Sequence, residues 1–420
     1  MMSSVNLQGL KGLSWVRLSF VDVFGAAHSV QLPASRFDRA VAEGEPFDGS
    51  ALEGRARHLE SDMLLRPDPG TLVRIRDGLA RAVCTVWSPD GSRWPGDSRT
   101  ALELVCEQLT ELASGYKVSA ELEFYLFDQS GAPVDRGGYF DEAESPGVAA
   151  ARAAADRLDG YGVAVDACHH EAGPGQYELD LAPLAAMAMA DALVLARQAI
   201  REQAGALGLK ATFMPRPLEG EPGSGLHLHQ RVDGRLIDES GKLDDDGRSF
   251  VAGQLAHARG LSALAAPTVN SYKRLHSGPE APSASVWAHV NRGALLRVTS
   301  SWGGAPSIEF RGADPLANPY LLLAGLLVAG ADGLESGLEL GPPVEEDFQG
   351  FDPASMDSAR LVPLPRDLDM ALDSLLADDV LVDSFDQALL SRLVDGRRAE
   401  IEQYWSRVTP WELERYLEEA

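Results

Sequence analysis

The sequence of 420 residues is poor in cysteine and in positive charge. Its three cysteines, Cys84, Cys106 and Cys168, are too few and too scattered for a disulfide framework or a zinc cluster, so we expect a reducing compartment, the cytoplasm. Lysine and arginine together number 37 against 63 aspartate and glutamate residues, which gives a net charge of −26. Because nucleic acids and anionic membranes repel such a surface, neither is expected as a partner.

Long apolar segments are missing as well. The longest apolar run, 320–329, is well short of the ~20 residues that a membrane-spanning helix needs, and residues 1–10 lack the apolar core of a secretory leader. The rest of the composition is typical of a globular enzyme, since 45% of the residues are apolar and 24% are charged. At ~150 residues per domain, the length predicts two or three domains, or one large domain with a smaller partner.

The chain divides into two regions of different character. In residues 14–86, apolar residues such as Val16, Leu18 and Phe20 alternate with polar ones, which predicts short strands joined by turns. The segment 88–97 is rich in Pro, Gly, Asp and Ser, so we place a boundary there, between an N-terminal domain (1–95) and a C-terminal domain (96–420). In the second region, strands with polar residues at every second position predict an antiparallel sheet, so the fold class is α+β. Helices are expected through 102–112 and near 147–159, 185–207, 249–265, 319–336, 367–377 and 383–404, and a surface excursion over 341–366.

Four segments of the second region place polar side chains where they could share a face. Alternate residues of a strand point to the same side of a sheet, and a Gly-Pro-Gly turn would bring Glu171 and Glu178 together. Taken singly, each pair is as readily an ordinary surface or structural feature. Together, five carboxylates and an imidazole can face one cavity only if cations neutralise them, which predicts two oxygen-preferring ions, Mg²⁺ or Mn²⁺. The pairs are Glu121 and Glu123, Glu171 and Glu178, His227 and His229, and Glu309 and Arg311.

Basic residues lie among apolar ones in two further segments. They are Lys273 and Arg274, then Arg292 and Arg297. Arginine forms bidentate pairs with carboxylate and phosphate, although in so acidic a chain any single arginine could simply pair with an acid. Two metal ions beside arginines are the apparatus of phosphoryl transfer, because charge stabilisation does most of the work in that reaction.

The ordered set of motifs resembles glutamine synthetase from about Val16 to the C-terminus. Each motif is weak alone, but the set in this order is highly specific. The resemblance implies a small N-terminal β-grasp domain and a large C-terminal catalytic domain with a curved antiparallel sheet flanked by helices. The motifs are Phe47-Asp48-Gly49-Ser50, Glu60-Ser61-Asp62-Met63, Glu121-x-Glu123-Phe124, 169–178, Gly223-Ser224-Gly225-Leu226-His227, 270–275, Asn291-Arg292, Glu309-x-Arg311 and 314–321.

The activity that the resemblance implies is ATP-dependent amide formation on glutamate. The γ-carboxylate of glutamate would attack ATP to give γ-glutamyl phosphate, and ammonia would then displace phosphate. The cofactors implied are two Mg²⁺ or Mn²⁺ ions per site, with ATP as co-substrate. The Asp48 loop would come from a neighbouring subunit, which implies a homo-oligomer, typically two stacked hexameric rings, with active sites between subunits.

The resemblance also implies a role for each matching residue. Glu123, Glu171 and Glu178 would bind the first metal ion, and Glu121, His227 and Glu309 the second. Gly225, Arg274 and Arg311 would bind the substrate, while His229, Arg292 and Arg297 would bind ATP, Arg292 also acting in catalysis. Glu280 would close the site and take a proton from the amine, and Asp48, Asp62 and Tyr139 would frame the ammonium pocket, with an aspartate removing a proton from ammonium.

Two departures from the family pattern leave alternatives open. Pro222 stands where the family often has Asn, and a Lys and an Arg that commonly precede the Glu309 position are missing before Ser307. Either departure would suit a relative that uses an organic amine, such as a polyamine, ethanolamine or a specialised-metabolism amine, or an altered acid. A third possibility is a non-catalytic oligomeric protein that keeps the fold but not the activity.

Overall fold

Two β-sheets, each covered by helices, organise this computed structural model. It describes residues 12–54, 62–238, 240–276, 278, 280–299, 305–348, 355–356 and 361–418. The first sheet has the order β2-β1-β6-β4-β3, with β5 beside β6, and its β1 and β6 are parallel while the other pairs are antiparallel. Its strands are β1 (Trp15–Val21), β2 (Ala27–Pro33), β3 (Glu45–Asp48), β4 (Asp62–Pro67), β5 (Val73–Arg76) and β6 (Leu79–Trp87).

The alternation of apolar residues gives the first sheet one buried face. Val16 and Leu18 are fully buried there, together with Phe37 of helix α1 (Phe37–Glu43) and Leu65. The predicted alternation is therefore observed at the start of β1, whereas β6 is buried on both faces over nearly its whole length.

The second sheet carries the predicted polar pairs. Its order is β12-β13-β14-β11-β7-β9-β8, with β10 beside β7. All pairs are antiparallel except the edge pair β12 and β13, which is parallel. The strands are β7 (Tyr116–Phe127), β8 (Val165–His170), β9 (Gln176–Ala185), β10 (Lys210–Thr212), β11 (Leu226–Val232), β12 (Trp287–Ala288), β13 (Leu296–Thr299) and β14 (Ser307–Phe310).

Helices cover the apolar face of the second sheet. Helices α6 and α9 cross closely because both have glycine at the contact: a Cβ atom on Gly253 would lie 2.1 Å from the carbonyl oxygen of Ala329. The helices are α2 (Ser98–Gln108), α3 (Thr110–Gly115), α4 (Pro146–Asp159), α5 (Ala186–Ala206), α6 (Asp245–Ala256), α7 (Ala258–Ala265), α8 (Val269–Leu275), α9 (Pro319–Ser336), α10 (Leu368–Leu376), α11 (Asp379–Asp383), α12 (Gln387–Trp405) and α13 (Pro410–Tyr416).

Three of the predicted helices are divided or shortened. The helix expected through 102–112 breaks at Leu109 (φ −99°, ψ 38°), and that near 249–265 breaks at His257 (φ −93°, ψ 5°). The helix expected at 383–404 begins only at Gln387, where Asp386 accepts a backbone N–H and caps it. The apolar pattern runs on through each break, so periodicity alone could not locate it.

The segment 341–366 differs from the surface excursion that was expected. Phe348 is 2% exposed and Leu361 is 8% exposed, and both pack with Val286 and Ala294 beside the second sheet. This segment therefore supports the loop before β13, which carries Arg292. The α+β class is confirmed, and no helix in the described ranges is long and apolar enough to cross a membrane.

Candidate active site

Charged side chains form a row across the second sheet, one strand after another. The register places Arg297 of β13 opposite Glu309 of β14, and Glu309 opposite His229 of β11. On the other side of β11, His227 lies opposite Glu121 of β7. Because paired residues of neighbouring strands point to one face, segments distant in sequence meet there. The row continues into β9 and β8 through the pairs Glu121–Asp180, Glu123–Glu178 and Glu178–His169.

Glu121 lies in the middle of this row and contacts two histidines. Its Oε2 is 2.8 Å from Nδ1 of His227, and its Oε1 is 2.8 Å from Nε2 of His229. Burial by itself raises the pKa of Glu121, but hydrogen bonds from both histidines outweigh it and hold the pKa well below the ordinary value. Burial lowers the pKa of His229, and the hydrogen bond and charge of Glu121 together raise it by more. The imidazoles thus neutralise part of this carboxylate's charge.

Glu309 is neutralised by arginines instead. Its Oε2 accepts a hydrogen bond from Nη1 of Arg297 at 2.8 Å, and its Oε1 accepts one from Nη1 of Arg311. Glu309 is 1% exposed, and although burial raises its pKa, the charge of Arg311 and of the nearby cations lowers it by more. One ligand atom each of Glu121, His229 and Glu309 lie within 4.8 Å of one another, close enough to surround a single cation.

A second cluster joins His169, Glu178 and Asp180, whose ligand atoms also lie within 4.8 Å of one another. Burial first, and then the charges of Glu121 and Glu123, raise the pKa of Glu178, and burial raises the pKa of Asp180 as well. In the part of the chain that the structure describes, Oδ1 of Asp180 is buried without a hydrogen-bond partner. These two carboxyl groups therefore need protons or a bound cation.

A buried glutamine joins Glu123 to two glycine-containing turns, one of which begins at Glu171. Gln176 is 1% exposed, and its Nε2 donates to Oε2 of Glu123 at 2.9 Å and to the carbonyl of Gly223 at 3.1 Å. Its Oε1 accepts the backbone N–H of Gly173 at 2.9 Å. Glu171 begins this turn, and burial first, with the charge of Glu123 second, raises the pKa of Glu171 to about 8. Its environment therefore also favours a neutralising cation.

The turn before β11 requires glycine at Gly225. A Cβ atom at this position would lie 2.7 Å from Nε2 of His227 and 2.9 Å from Nη2 of Arg274. Arg274 is 5% exposed, its Nη2 donates to the carbonyl of Arg311 at 3.2 Å, and burial lowers its pKa. The glycine thus lets a backbone turn and a buried guanidinium approach the same space.

Three predicted residues lie at the rim. Nη1 of Arg292 is 3.5 Å from Oε1 of Glu280, and these side chains are 57% and 61% exposed. Tyr139 is half exposed, and its ring meets the ring of His169 edge-on with centroids 5.8 Å apart. The backbone carbonyl of Arg292 also accepts Nε of Arg311 at 3.0 Å, which fixes the rim to the row below it.

Two adjoining cavities, of about 490 and about 390 Å³, contain nearly all predicted site residues. Asp48 and Asp62 are the exceptions: within the described ranges they line neither cavity and lie opposite each other on β3 and β4, exposed to solvent. Glu121, Glu178, His229, Arg297 and Glu309 line the larger cavity, Gly225 and Arg274 the smaller, and Glu123, Tyr139, Glu171, His227, Glu280, Arg292 and Arg311 line both.

The donors in these cavities fit hard divalent cations. They are mostly carboxylates with a few imidazoles, which suits Mg²⁺ or Mn²⁺ better than a thiolate-preferring metal. The two clusters of closely spaced ligand atoms contain the predicted metal ligands Glu178 and Glu309. They also contain His229, His169 and Asp180, which were not predicted as metal ligands. The division of ligands between two ions remains a prediction.

Sequence reasoning gave no role to His169, Asp180 or Gln176. Asp180 shares a strand face with Glu178, and His169 precedes Glu171 by two residues, so alternation alone could have suggested both. Gln176 has no such signal, because its importance comes from joining its own turn to Gly223, which lies 47 residues further along the chain.

With this geometry in place, comparison with known proteins decides the family. The family model described as "Glutamine synthetase, beta-Grasp domain" matches residues 12–89, and that described as "Glutamine synthetase, catalytic domain" matches residues 95–416. This chain belongs to the glutamine synthetase family. It is therefore an ATP-dependent ligase, so the predicted enzyme class is confirmed, as are the β-grasp and catalytic domains of the predicted fold.

Individual relatives agree with the family models. The glutamine synthetase of Mycolicibacterium smegmatis is 37% identical over 430 residues, covering 97% of this chain and 96% of the relative. That of Thermus thermophilus is 36% identical over 435 residues, covering 98% of both chains. A solved structure of a GmaS/ADP complex has a TM-score of 0.86 at 26% identity and covers 100% of both chains. The similarity to glutamine synthetases thus extends over nearly the whole chain.

Proposed function

We propose that this ligase joins ammonia to the γ-carboxylate of glutamate, with ATP as the phosphoryl donor and γ-glutamyl phosphate as the intermediate. The observation that carries the proposal is the pair of adjoining cavities, in which acidic side chains share one space with several arginines, among them Arg274, Arg297 and Arg311. A carboxylate and a triphosphate are both anions, so bringing them together requires cations between and around them.

The larger cavity suits the phosphates of ATP. Arg297 lies there beside Ser307 and His229, and its Nη1 is held by Glu309. Bound divalent ions, of which we propose two per site and favour Mg²⁺, would neutralise charge on the transferred phosphoryl group. Glu121, Glu178 and Glu309 would hold them. The ADP in the similar GmaS complex supports nucleotide binding by this fold.

The smaller cavity suits the amino acid. Arg274 and Arg311 both line it, and each is anchored through a hydrogen bond to a backbone carbonyl, at 3.2 and 3.0 Å. Two fixed guanidinium groups would orient a substrate carboxylate. Gly225 leaves room for the substrate backbone, since a side chain there would collide with its neighbours.

The nucleophile would enter at the rim. Glu280 and Tyr139 line both cavities, so a carboxylate and a phenol would be available there as acceptors for an ammonium ion. Asp48 lines neither cavity of its own chain in the described ranges, so we propose that the Asp48 of a neighbouring subunit completes the pocket, with Asp62 near it. This requires a homo-oligomer, for which stacked hexameric rings remain our expectation, and cytoplasmic localisation likewise remains a prediction.

A second candidate is a ligase that uses an organic amine. Pro222 favours it, because this residue replaces the family's usual Asn on the turn that borders the smaller cavity, and its carbonyl accepts the hydroxyl of Tyr125 at 2.7 Å. The hydroxyl of Tyr125 therefore holds the backbone of this turn, and no Asn side chain is present there. The loss of that side chain would change how the amino acid substrate is bound.

Phosphate release from ATP distinguishes the two candidates. The enzyme with Mg²⁺ and glutamate is given ammonium, then methylamine, ethanolamine and putrescine, with reactions lacking glutamate as blanks. Turnover with ammonium at least as efficient as with any amine supports the proposal, and turnover with an amine alone supports the second candidate. No turnover with any nucleophile would overturn both. Product mass identifies the amide, and Glu335→Gln, a change at an exposed residue of α9, serves as the control variant.

A further inference from the structure

A third cavity, of about 450 Å³, lies between the first sheet and helix α5. It is separate from the active site, since none of the described residues that line it also lines the two cavities above. In a chain with a net charge of −26, this cavity is unusually basic. Its charged and imidazole-bearing residues are Arg17, His28, Arg81, Arg197, Arg201 and Glu202.

Two of the arginines stand side by side on the sheet. Strands β1 and β6 are parallel neighbours, and their register pairs Arg17 directly with Arg81. Nε of Arg81 donates to Oγ of Ser19 at 3.1 Å, which holds the side chain on the face that lines the cavity. Like charges on directly paired residues destabilise a sheet, so an anion bound between them would stabilise this arrangement.

The facing helix repeats the same arrangement. Arg197 and Arg201 of α5 are four residues apart, which places both side chains on one face of the helix. Nη2 of Arg197 donates to the carbonyl of Ala317 at 2.7 Å, and the guanidinium of Arg201 lies over the ring of Phe213 at 4.8 Å. Like charges at this spacing also repel each other.

The protein's own acids form few direct ion pairs with these arginines. Among the described residues, no carboxylate oxygen lies within 4.0 Å of a guanidinium nitrogen of Arg81, Arg197 or Arg201. Of the described residues that line the cavity, Glu202 is the one acid; its carboxylate is 3.7 Å from Arg17 and its side chain is 45% exposed.

Two of these arginines are buried, so leaving their guanidinium groups without an ion-pair partner costs folding free energy. Arg81 is 3% exposed and Arg197 is 7% exposed, and Nε of Arg197 is buried without a hydrogen-bond partner in the described part of the chain. Burial first, and then the charge of Arg201, lower the pKa of Arg197 to about 10. Burial likewise lowers the pKa of Arg81. The charges of Asp314 on Arg197 and of Asp191 on Arg81 oppose these shifts without reversing them. A buried guanidinium normally has an ion-pair partner, so these observations indicate a missing anion.

We propose that the cavity between β1, β6 and α5 binds a small dianion through Arg17, Arg81, Arg197 and Arg201. Arginines in facing pairs suit a ligand whose negative charge is spread over several oxygens, either a short dicarboxylate or a tetrahedral oxyanion. The volume falls within the ~300–1,000 Å³ range of ordinary small-molecule sites. This site is additional to the proposed ligase activity and does not depend on it.

Binding of simple dianions tests the proposal directly. Calorimetric titration and thermal unfolding of the full-length protein are followed with succinate and with sulfate, at an ionic strength matched with chloride. Saturable binding of either dianion is expected, and it should weaken about tenfold or more in Arg81→Gln and in Arg201→Gln, because each loses a charge-assisted hydrogen bond. Arg201 is exposed, so its variant tests the site even if Arg81→Gln fails to fold.

Two controls separate this site from the others. Arg398→Gln removes an exposed arginine of α12 that pairs with Asp373, and should bind the dianions as the unchanged protein does. Arg311→Gln removes an active-site arginine, and binding at the third cavity should persist in it. Succinate binding alone would assign a dicarboxylate, and sulfate binding alone a tetrahedral oxyanion. No saturable binding, equal binding in the cavity variants, or loss only in Arg311→Gln would overturn the proposal.

Discussion

The substitution Glu178→Gln should leave the metal-free protein almost unchanged. Glu178 is 6% exposed, and burial followed by the charges of Glu121 and Glu123 raises its pKa, so we expect the carboxyl group to keep its proton at neutral pH when no cation is bound. Glutamine has nearly the shape of a protonated glutamate and can keep the 3.2 Å contact with Nε2 of His169. The free energy of unfolding without metal should therefore change by less than about 1 kcal/mol.

With a divalent ion present, the same substitution should have a large effect. An ion that binds only the folded protein stabilises it by about 2.7 kcal/mol at a hundred times its dissociation constant. Glutamine cannot give up a proton to become an anionic ligand, so we expect metal affinity to fall by about 10–100-fold or more. Each tenfold loss removes about 1.4 kcal/mol of that stabilisation. Turnover should fall by at least about 100-fold, because charge stabilisation at the phosphoryl group is lost.

The assay compares unfolding midpoints in EDTA, in Mg²⁺ and in Mn²⁺, together with phosphate release. Glu335→Gln, which removes an exposed carboxylate of α9, should respond to metal as the unchanged protein does. If the unfolding midpoint of Glu178→Gln rises with metal as much as that of the unchanged protein, Glu178 does not bind the ion. A large loss of stability in EDTA would show instead that an ionised Glu178 stabilises the fold, which would refute the reasoning from burial.

Three further predictions concern the nucleophile, the rim and pH. Asp48→Ala should raise the KM for ammonium far more than the KM for ATP, whereas the control Asp38→Ala on α1 should change neither. Equal effects of Asp48→Ala on both KM values would show that Asp48 does not bind ammonium. Glu345 accepts hydrogen bonds from the backbone N–H groups of His289, Val290 and Asn291 at 2.8, 2.9 and 3.3 Å. Glu345→Ala should therefore lower the free energy of unfolding by about 1–2 kcal/mol and, because Arg292 follows in the same loop, reduce kcat. An unchanged kcat would show that this loop does not position the arginine. The pKa of Glu171 is raised from 4.5 to about 8, so its contribution to metal-free stability is fully present below pH 4.5 and is lost as the pH rises through about 8. Glu178 and Asp180, whose pKa values are also raised, contribute to the same decline. Thermal unfolding in EDTA should therefore show the decline, Mg²⁺ should reduce it, and Glu171→Gln should make it shallower; an unchanged slope in Glu171→Gln would assign the whole decline to other groups.

Local rules predicted which side chains share a face, but not which strands are neighbours. Alternation correctly paired Glu121 with Glu123, and Glu309 with Arg311, because strand geometry fixes positions two residues apart. The order β14-β11-β7-β9 joins segments that are far apart in sequence. Such pairing depends on long-range packing, so the sequence indicated a shared site only through the number of acids that needed a common cation.

Helix ends and buried polar contacts were harder to predict for a related reason. The breaks at Leu109 and His257 occur without glycine or proline, within an apolar pattern that continues across them. Gln176 could not be identified because its two amide ends contact groups on separate turns. In both cases tertiary contacts outweigh local preference, and no periodicity records them.

The two clusters of the site differ in how their charge is neutralised. Glu309 is surrounded by the protein's own cations, since Arg297 and Arg311 bond both its oxygens, and its pKa is lowered. Glu178 and Asp180 have raised pKa values, and Oδ1 of Asp180 is buried without a partner in the described residues. A metal ion at the Glu309 cluster would therefore enter a site already ionised and held in place by arginines. An ion at the Glu178 cluster must displace protons, so its binding should depend more strongly on pH.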